Sequence, residues 1–91
     1  MILVSALVDR DLYDVIQKHQ VWIEETFVSE YTEESFSTVV NAVRTNNPTA
    51  FILLIVPPAF EEIARTLPVN DVCVYDGTDI KAVESRIIYQ G

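Results

Sequence analysis

Residues Ala50-Phe51-Ile52-Leu53-Leu54-Ile55-Val56 form an unbroken apolar run that ends on Pro57-Pro58. The run has no alternation, so neither of its faces looks at water. It is too short to span a bilayer. A short apolar segment rich in β-branched residues, with helical patterns on both sides, predicts the central strand of a parallel sheet. In such sheets ligand and contact chemistry sits in the loops after the strands.

The flanking pattern alternates strand and helix. Met1 to Val8 is nearly all apolar and predicts a second buried strand. Asp9-Arg10-Asp11 breaks it, and Leu12, Val15, Ile16 and His19 follow at helical spacing. Thr32 is a natural N-cap for a helix whose apolar stripe is Phe36, Val39, Val40 and Val43. Arg44 sits in its last turn and Asn46-Asn47-Pro48 stops it. Pro57 and Pro58 suit the first turn of a third helix, with Phe60, Ile63, Ala64 and Leu67 facing inward and Pro68 ending it. Val69 to Tyr75 reads as another strand. Thr78 or Asp79 caps a last helix carrying Ile80, Val83 and Ile87, although Arg86 to Tyr89 also reads as a short strand.

Residues 20–28 fit two readings. Trp22, Ile23, Thr26 and Phe27 would extend the first helix to Phe27. Val21, Ile23 and Phe27 also alternate against Glu24 and Thr26, as a half-buried edge strand does. The strand is the favoured reading. The resulting fold class is α/β: an open, mostly parallel sheet of four to five strands with helices on both faces. The three strongest strands would form its centre and the Val21–Val28 segment an edge.

Ninety-one residues make one domain. The apolar end Ile87-Ile88-Tyr89 fits the cut edge of a longer protein, of which residues 1–91 would be the N-terminal domain. The net charge of −8, from 14 acidic and 6 basic residues, repels phosphate backbones and anionic lipids. No nucleic acid or membrane partner is therefore expected. Cys73, the only cysteine, lies in an apolar strand and excludes an internal disulfide, which fits a cytoplasmic protein.

The carboxyl ends of the strands should meet on one rim. There the sequence places Asp9 and Asp11, then Ser29 and Glu30, then Pro57 and Pro58, then Asp76, Thr78 and Asp79. The carboxylates could hold Mg²⁺ through oxygen ligands. Each is also accounted for as a helix cap, and no metal site or cofactor is expected. His19 is the only histidine, the only glycines are Gly77 and Gly91, and no Cys/His cluster is present. A phosphate loop and a zinc site are thereby excluded.

The acidic cluster Asp9-Arg10-Asp11 after the first strand and Thr78 after the fourth resemble the receiver domains of two-component signalling, which are flavodoxin-like. Where a receiver carries its phospho-accepting Asp, this chain has Val56-Pro57, and Lys81 lies in the wrong segment for a receiver's lysine. The resemblance implies a degenerate receiver that cannot be phosphorylated. Domains of that sort serve as docking or dimerisation modules. The expected function is thus a non-enzymatic interaction domain, binding another protein or itself as a homodimer. Its expected contacts are Trp22, Phe27, Ile88 and Tyr89. The alternative is a regulatory domain that binds a small ligand or Mg²⁺ on the rim of Asp9, Asp11, Asp76, Thr78 and Asp79.

Overall fold

The computed structural model describes residues 1–90. Four strands, β1 (Ile2–Ser5), β2 (Glu25–Val28), β3 (Ile52–Val56) and β4 (Asp71–Val74), alternate with four helices. The helices are α1 (Arg10–Lys18), α2 (Glu33–Asn46), α3 (Glu61–Ala64) and α4 (Ile80–Gln90). The strands form one open, all-parallel sheet in the order β2-β1-β3-β4. This is a flavodoxin-like arrangement, with the winding direction reversing between β1 and β3. Burial follows the order. Every residue of β1 and β3 is buried, whereas β2 and β4 are not buried throughout.

Side-chain alternation divides the interior in two. Ile2, Val4, Ile52, Leu54 and Val56 pack under Phe36, Val40 and Val43 of α2 and Ala64 of α3. Leu3, Leu53, Ile55 and Cys73 pack under Leu12 and Ile16 of α1 and Val83 and Ile87 of α4. Successive residues of a strand thus serve opposite layers, which is why the run through Ile52–Val56 has no polar face.

The helix starts follow local chemistry. Asp9 caps α1 by accepting the Asp11 N–H at 3.1 Å. Thr32 caps α2, and Ser35 returns the bond to the Thr32 N–H at 3.0 Å, closing a reciprocal cap. Asp79 accepts the Ala82 N–H at 3.3 Å. Pro58 opens a 3₁₀ turn over Pro58–Phe60 that leads into α3.

Two expectations need correction, and one alternative is settled in favour of the last helix. Residues 20–28 are neither one helix nor one strand: Gln20–Trp22 is a 3₁₀ turn and β2 begins at Glu25. The chain must first descend from the helix layer to the sheet, and Glu24 meets Met1 through a 2.8 Å backbone bond as it arrives. That bend breaks the expected alternation. Ile23 enters the α1–α4 layer while Phe27 packs on the α2–α3 layer. Arg86 to Tyr89 is helical, because Val83 and Ile87, four residues apart, both seat on the α1 side of the sheet. Only β1 and β3 are interior. The β3–α3–β4 crossover carries β4 to the outside of β3, where among the described residues no further strand covers it.

Candidate functional site

The rim at the carboxyl ends of the strands is occupied by its own hydrogen bonds. The Tyr75 hydroxyl donates to Asp9 Oδ2 while Asp9 Oδ1 caps α1, so both oxygens of this carboxylate are engaged. Tyr75 is 1% exposed. Its burial, and secondly the bond to Asp9, push the phenol far above the usual tyrosine range. Asp76 Oδ1 accepts the Thr78 N–H at 2.9 Å and the Thr78 hydroxyl at 2.6 Å. These bonds, the hydroxyl's first, hold the Asp76 carboxyl below its ordinary range. Gly77 sits inside this turn at φ +94°, where a side chain would be strained. Asp79 caps α4 and Asp11 is exposed on α1.

The rim thus brings Asp9 and Asp76 to one shallow cleft of about 290 Å³, walled by Leu7, Pro57, Pro58 and Tyr75. Thr78, Asp79 and Asp11 do not line it. Among the described residues no three His, Cys, Asp or Glu side chains lie together as a metal site would require. Val56 is fully buried at the end of β3, and Pro57 follows it into the cleft wall.

Other reactive side chains are engaged elsewhere. His19 ends α1, and its Nε2 lies 2.8 Å from Glu84 on α4, with Lys18 Nζ 3.3 Å from the same oxygen. The bond from His19, then that from Lys18, holds the Glu84 carboxyl below the usual glutamate range. Cys73 is buried, which pushes its thiol up and away from the reactive thiolate.

The two sheet edges differ in how far they are covered. In a parallel ladder alternate residues direct both N–H and C=O to the same neighbour. On β4 the Tyr75 N–H donates to Val56 C=O, so Cys73 and Tyr75 face β3 while Val72 and Val74 face outward. Val72 does not stay open. Its N–H donates to Asp71 Oδ1 at 2.9 Å, and Arg86 of α4 reaches its C=O at 3.4 Å. Arg86 also donates to both Asp71 oxygens at 2.7 Å, and that pairing raises its already high pKa. The β4 edge is thus partly covered by its own side chains: Val72 is engaged, and Val74, also outward, has no such partner among the described residues.

On β2 the Ser29 N–H donates to Ser5 C=O, which turns Phe27 toward β1 and leaves Thr26 and Val28 facing outward. Among the described residues neither of their backbones has a partner on that side. A groove flanks the strand on each face. One, of about 390 Å³, lies against α1 between Tyr13, Ile16, Ile23 and Val28. The other, of about 570 Å³, lies against α2 between Phe27, Tyr31, Val39 and Val43. Glu25 lines both.

The residues expected to make contacts fall into two groups. Phe27 lines the α2 groove and Trp22, 47% exposed, precedes β2. Ile88 and Tyr89 lie on the last turns of α4, 55% and 85% exposed. Thr26 and Val28, and the Asp71–Arg86 lock that sets the two edges apart, escape sequence reasoning. Only the period-two pattern of Glu25–Val28 hints at the first pair, and nothing local links residues fifteen apart. No helix of the described residues is long and apolar enough to cross a membrane. In comparisons with known proteins, no family model, no curated protein and no solved structure matches this chain.

Proposed function

We propose that this chain is a non-enzymatic protein-binding domain that works through the open edge of β2. The observation that carries the reading is the edge of β2: Thr26 and Val28 stand open between two grooves, whereas on β4 Asp71 and Arg86 engage Val72 and leave only Val74 open. An unpaired edge is a template for another strand, and natural proteins usually block it. On β2 both outward backbones are open and flanked by apolar grooves, the setting in which an added strand gains the most. An added strand would pair with the Thr26 and Val28 backbones and send alternate side chains into the two grooves.

The lack of catalysis in this reading rests on the side chains. Asp9, Asp76 and Asp79 are bonded to their own chain, His19 to Glu84, and Cys73 is buried. The likeness to a degenerate receiver belongs to the same proposal, since Val56-Pro57 ends β3 where an acceptor Asp would stand. A cytoplasmic location fits the single buried thiol.

Photo-crosslinking tests it. A photoreactive amino acid at Thr26, at Lys81 or at Tyr89 is irradiated in cells expressing the chain. Adducts from position 26 with none from the exposed control at 81 are expected. Adducts from 89 alone would move the surface to α4, and none from any position would sink the binding reading.

A further inference from the structure

We infer that the segment taken up by β2 is a basic, extended stretch of a different protein, with Lys or Arg alternating with apolar residues. This rests on the open-edge reading and adds the chemistry of the occupant. The first observation is charge. Glu24 precedes β2, Glu25 begins it and Glu30 follows it, all three exposed. Glu24 is 76% exposed, its nearest cation the amino terminus at 4.0 Å, and Glu25 and Glu30 take part in no ion pair among the described residues. Neither groove is lined by a Lys or Arg. Four of the chain's six Lys and Arg are engaged elsewhere, Lys18 on Glu84, Arg65 on Glu61, Arg86 on Asp71 and Arg44 on carbonyls, and the other two, Arg10 and Lys81, line neither groove. An approaching strand therefore meets uncompensated negative charge at both ends of the edge.

The second observation is the groove walls. Ile16, Ile23 and Val28 on one side and Phe27, Val39 and Val43 on the other are apolar floors for the alternate side chains. A strand carrying apolar residues for the floors and cations for the rims satisfies both. A second copy does not. In the symmetric antiparallel register that bonds Thr26 to Val28 of the other chain, Glu24 falls opposite Glu30 twice. Like charges directly opposite each other destabilise a strand pair, and two chains of charge −8 repel at longer range.

Random peptides of about twelve residues, displayed on phage, are selected against the whole chain, and the enriched peptides are mapped by amide shifts. The expected result is enrichment of Lys and Arg alternating with apolar residues, with shifts over Glu24–Ser29. Affinity should fall about tenfold in Glu24→Lys/Glu25→Lys and fall with added salt. Thr26→Pro, which removes an outward N–H while leaving the ladder to β1, should lose binding with its circular dichroism retained. Neutral or acidic peptides that shift β2 would overturn the basic occupant and leave the edge reading standing. So would a dimer in sedimentation with β2 amides shifted. Peptides that bind without moving β2, or no enrichment at all, would overturn both.

Discussion

Arg44 offers a sharp test of how the sheet is held at the amino ends of β3 and β4. Its guanidinium donates to five acceptors: Pro68 O and Asn70 Oδ1 at 2.7 Å, Ala50 O at 2.9 Å, Asn47 O at 3.2 Å and Pro48 O at 3.3 Å. Asn70 Oδ1 in turn accepts the Ile52 N–H at 3.0 Å, so the network reaches the first residue of β3. One side chain ties the end of α2, the α2–β3 loop and the α3–β4 loop together. A hydrogen bond to a charged group contributes about 1.5–3 kcal/mol. Arg44 is half-buried, and water can replace part of what is lost, so the five bonds do not add. Arg44→Met should cost about 2–3 kcal/mol, and for a domain of this size that lowers Tm by roughly 8–24 °C. Arg44→Lys keeps the charge at the end of α2, worth about 0.3–1 kcal/mol, but one compact ammonium cannot reach five oxygens spread over two loops. It should recover less than half of the loss. Arg65→Ala is the control. Its partner Glu61 lies 2.8 Å away on the same exposed helix face, where such pairs contribute about 0.3–0.5 kcal/mol. Thermal melts by circular dichroism decide the matter. Arg44→Met and Arg65→Ala melting together, or Arg44→Lys melting with wild type, would refute the idea that loop fastening rather than bare charge makes Arg44 matter.

Val40 is fully buried on the sheet-facing side of α2, so Val40→Asp places an unpaired charge in the α2–α3 layer; a cost of several kcal/mol should leave the chain unfolded or nearly so by circular dichroism at 25 °C. Tyr75→Phe removes the bond to Asp9 and should cost about 1–2 kcal/mol. Because the folded phenol sits above the unfolded one, wild type should lose stability as pH rises past 10, and the variant should lose less; melts at pH 8 and 10.5 read the difference. Glu84 titrates the other way. Its folded pKa lies below the ordinary 4.5, so the stability it contributes is present above that value and is lost as pH falls through the folded pKa. The advantage of wild type over Glu84→Gln in melts should therefore be largest near neutrality and vanish in strong acid.

How much of this was legible in the chain depends on the range of the interaction. β3, α2 and its Thr32 cap are written in adjacent residues, as are the Asp9 and Asp79 caps. The ends of β2 were not, because a descent of the chain at Glu24 shifts the alternation by one and makes Ile23 and Phe27 face opposite layers. Arg44 reads locally as a last-turn cation, yet two of its acceptors, Pro68 and Asn70, are 24 and 26 residues away. The Tyr75–Asp9 bond spans 66 residues and the Asp71–Arg86 lock spans 15. These pairings exist only once the crossovers have set which loops are neighbours. The contrast between the edges depends on them, since Asp71 and Arg86 cover Val72 on β4 while among the described residues nothing covers Thr26 or Val28 on β2.

An exposed strand edge is hazardous to the chain that carries it, and charge is one way natural sheets keep edges from pairing with each other. Glu24, Glu25 and Glu30 stand where that protection is needed, on the edge that Asp71 and Arg86 do not guard. The same carboxylates would then do two things: hold copies of the chain apart and favour a basic strand over others. This double role is separable by experiment. Glu24→Gln/Glu25→Gln/Glu30→Gln leaves the backbone edge and both grooves in place and removes the repulsion. If charge is what keeps the edge unpaired, the triple variant should sediment as a dimer at concentrations where wild type is a monomer. Thr26→Pro added to it should return the monomer by removing an outward donor. A triple variant that stays monomeric with unchanged β2 amide exchange would show that shape, not charge, keeps the edge clear. The case for a basic partner would then lose its electrostatic support.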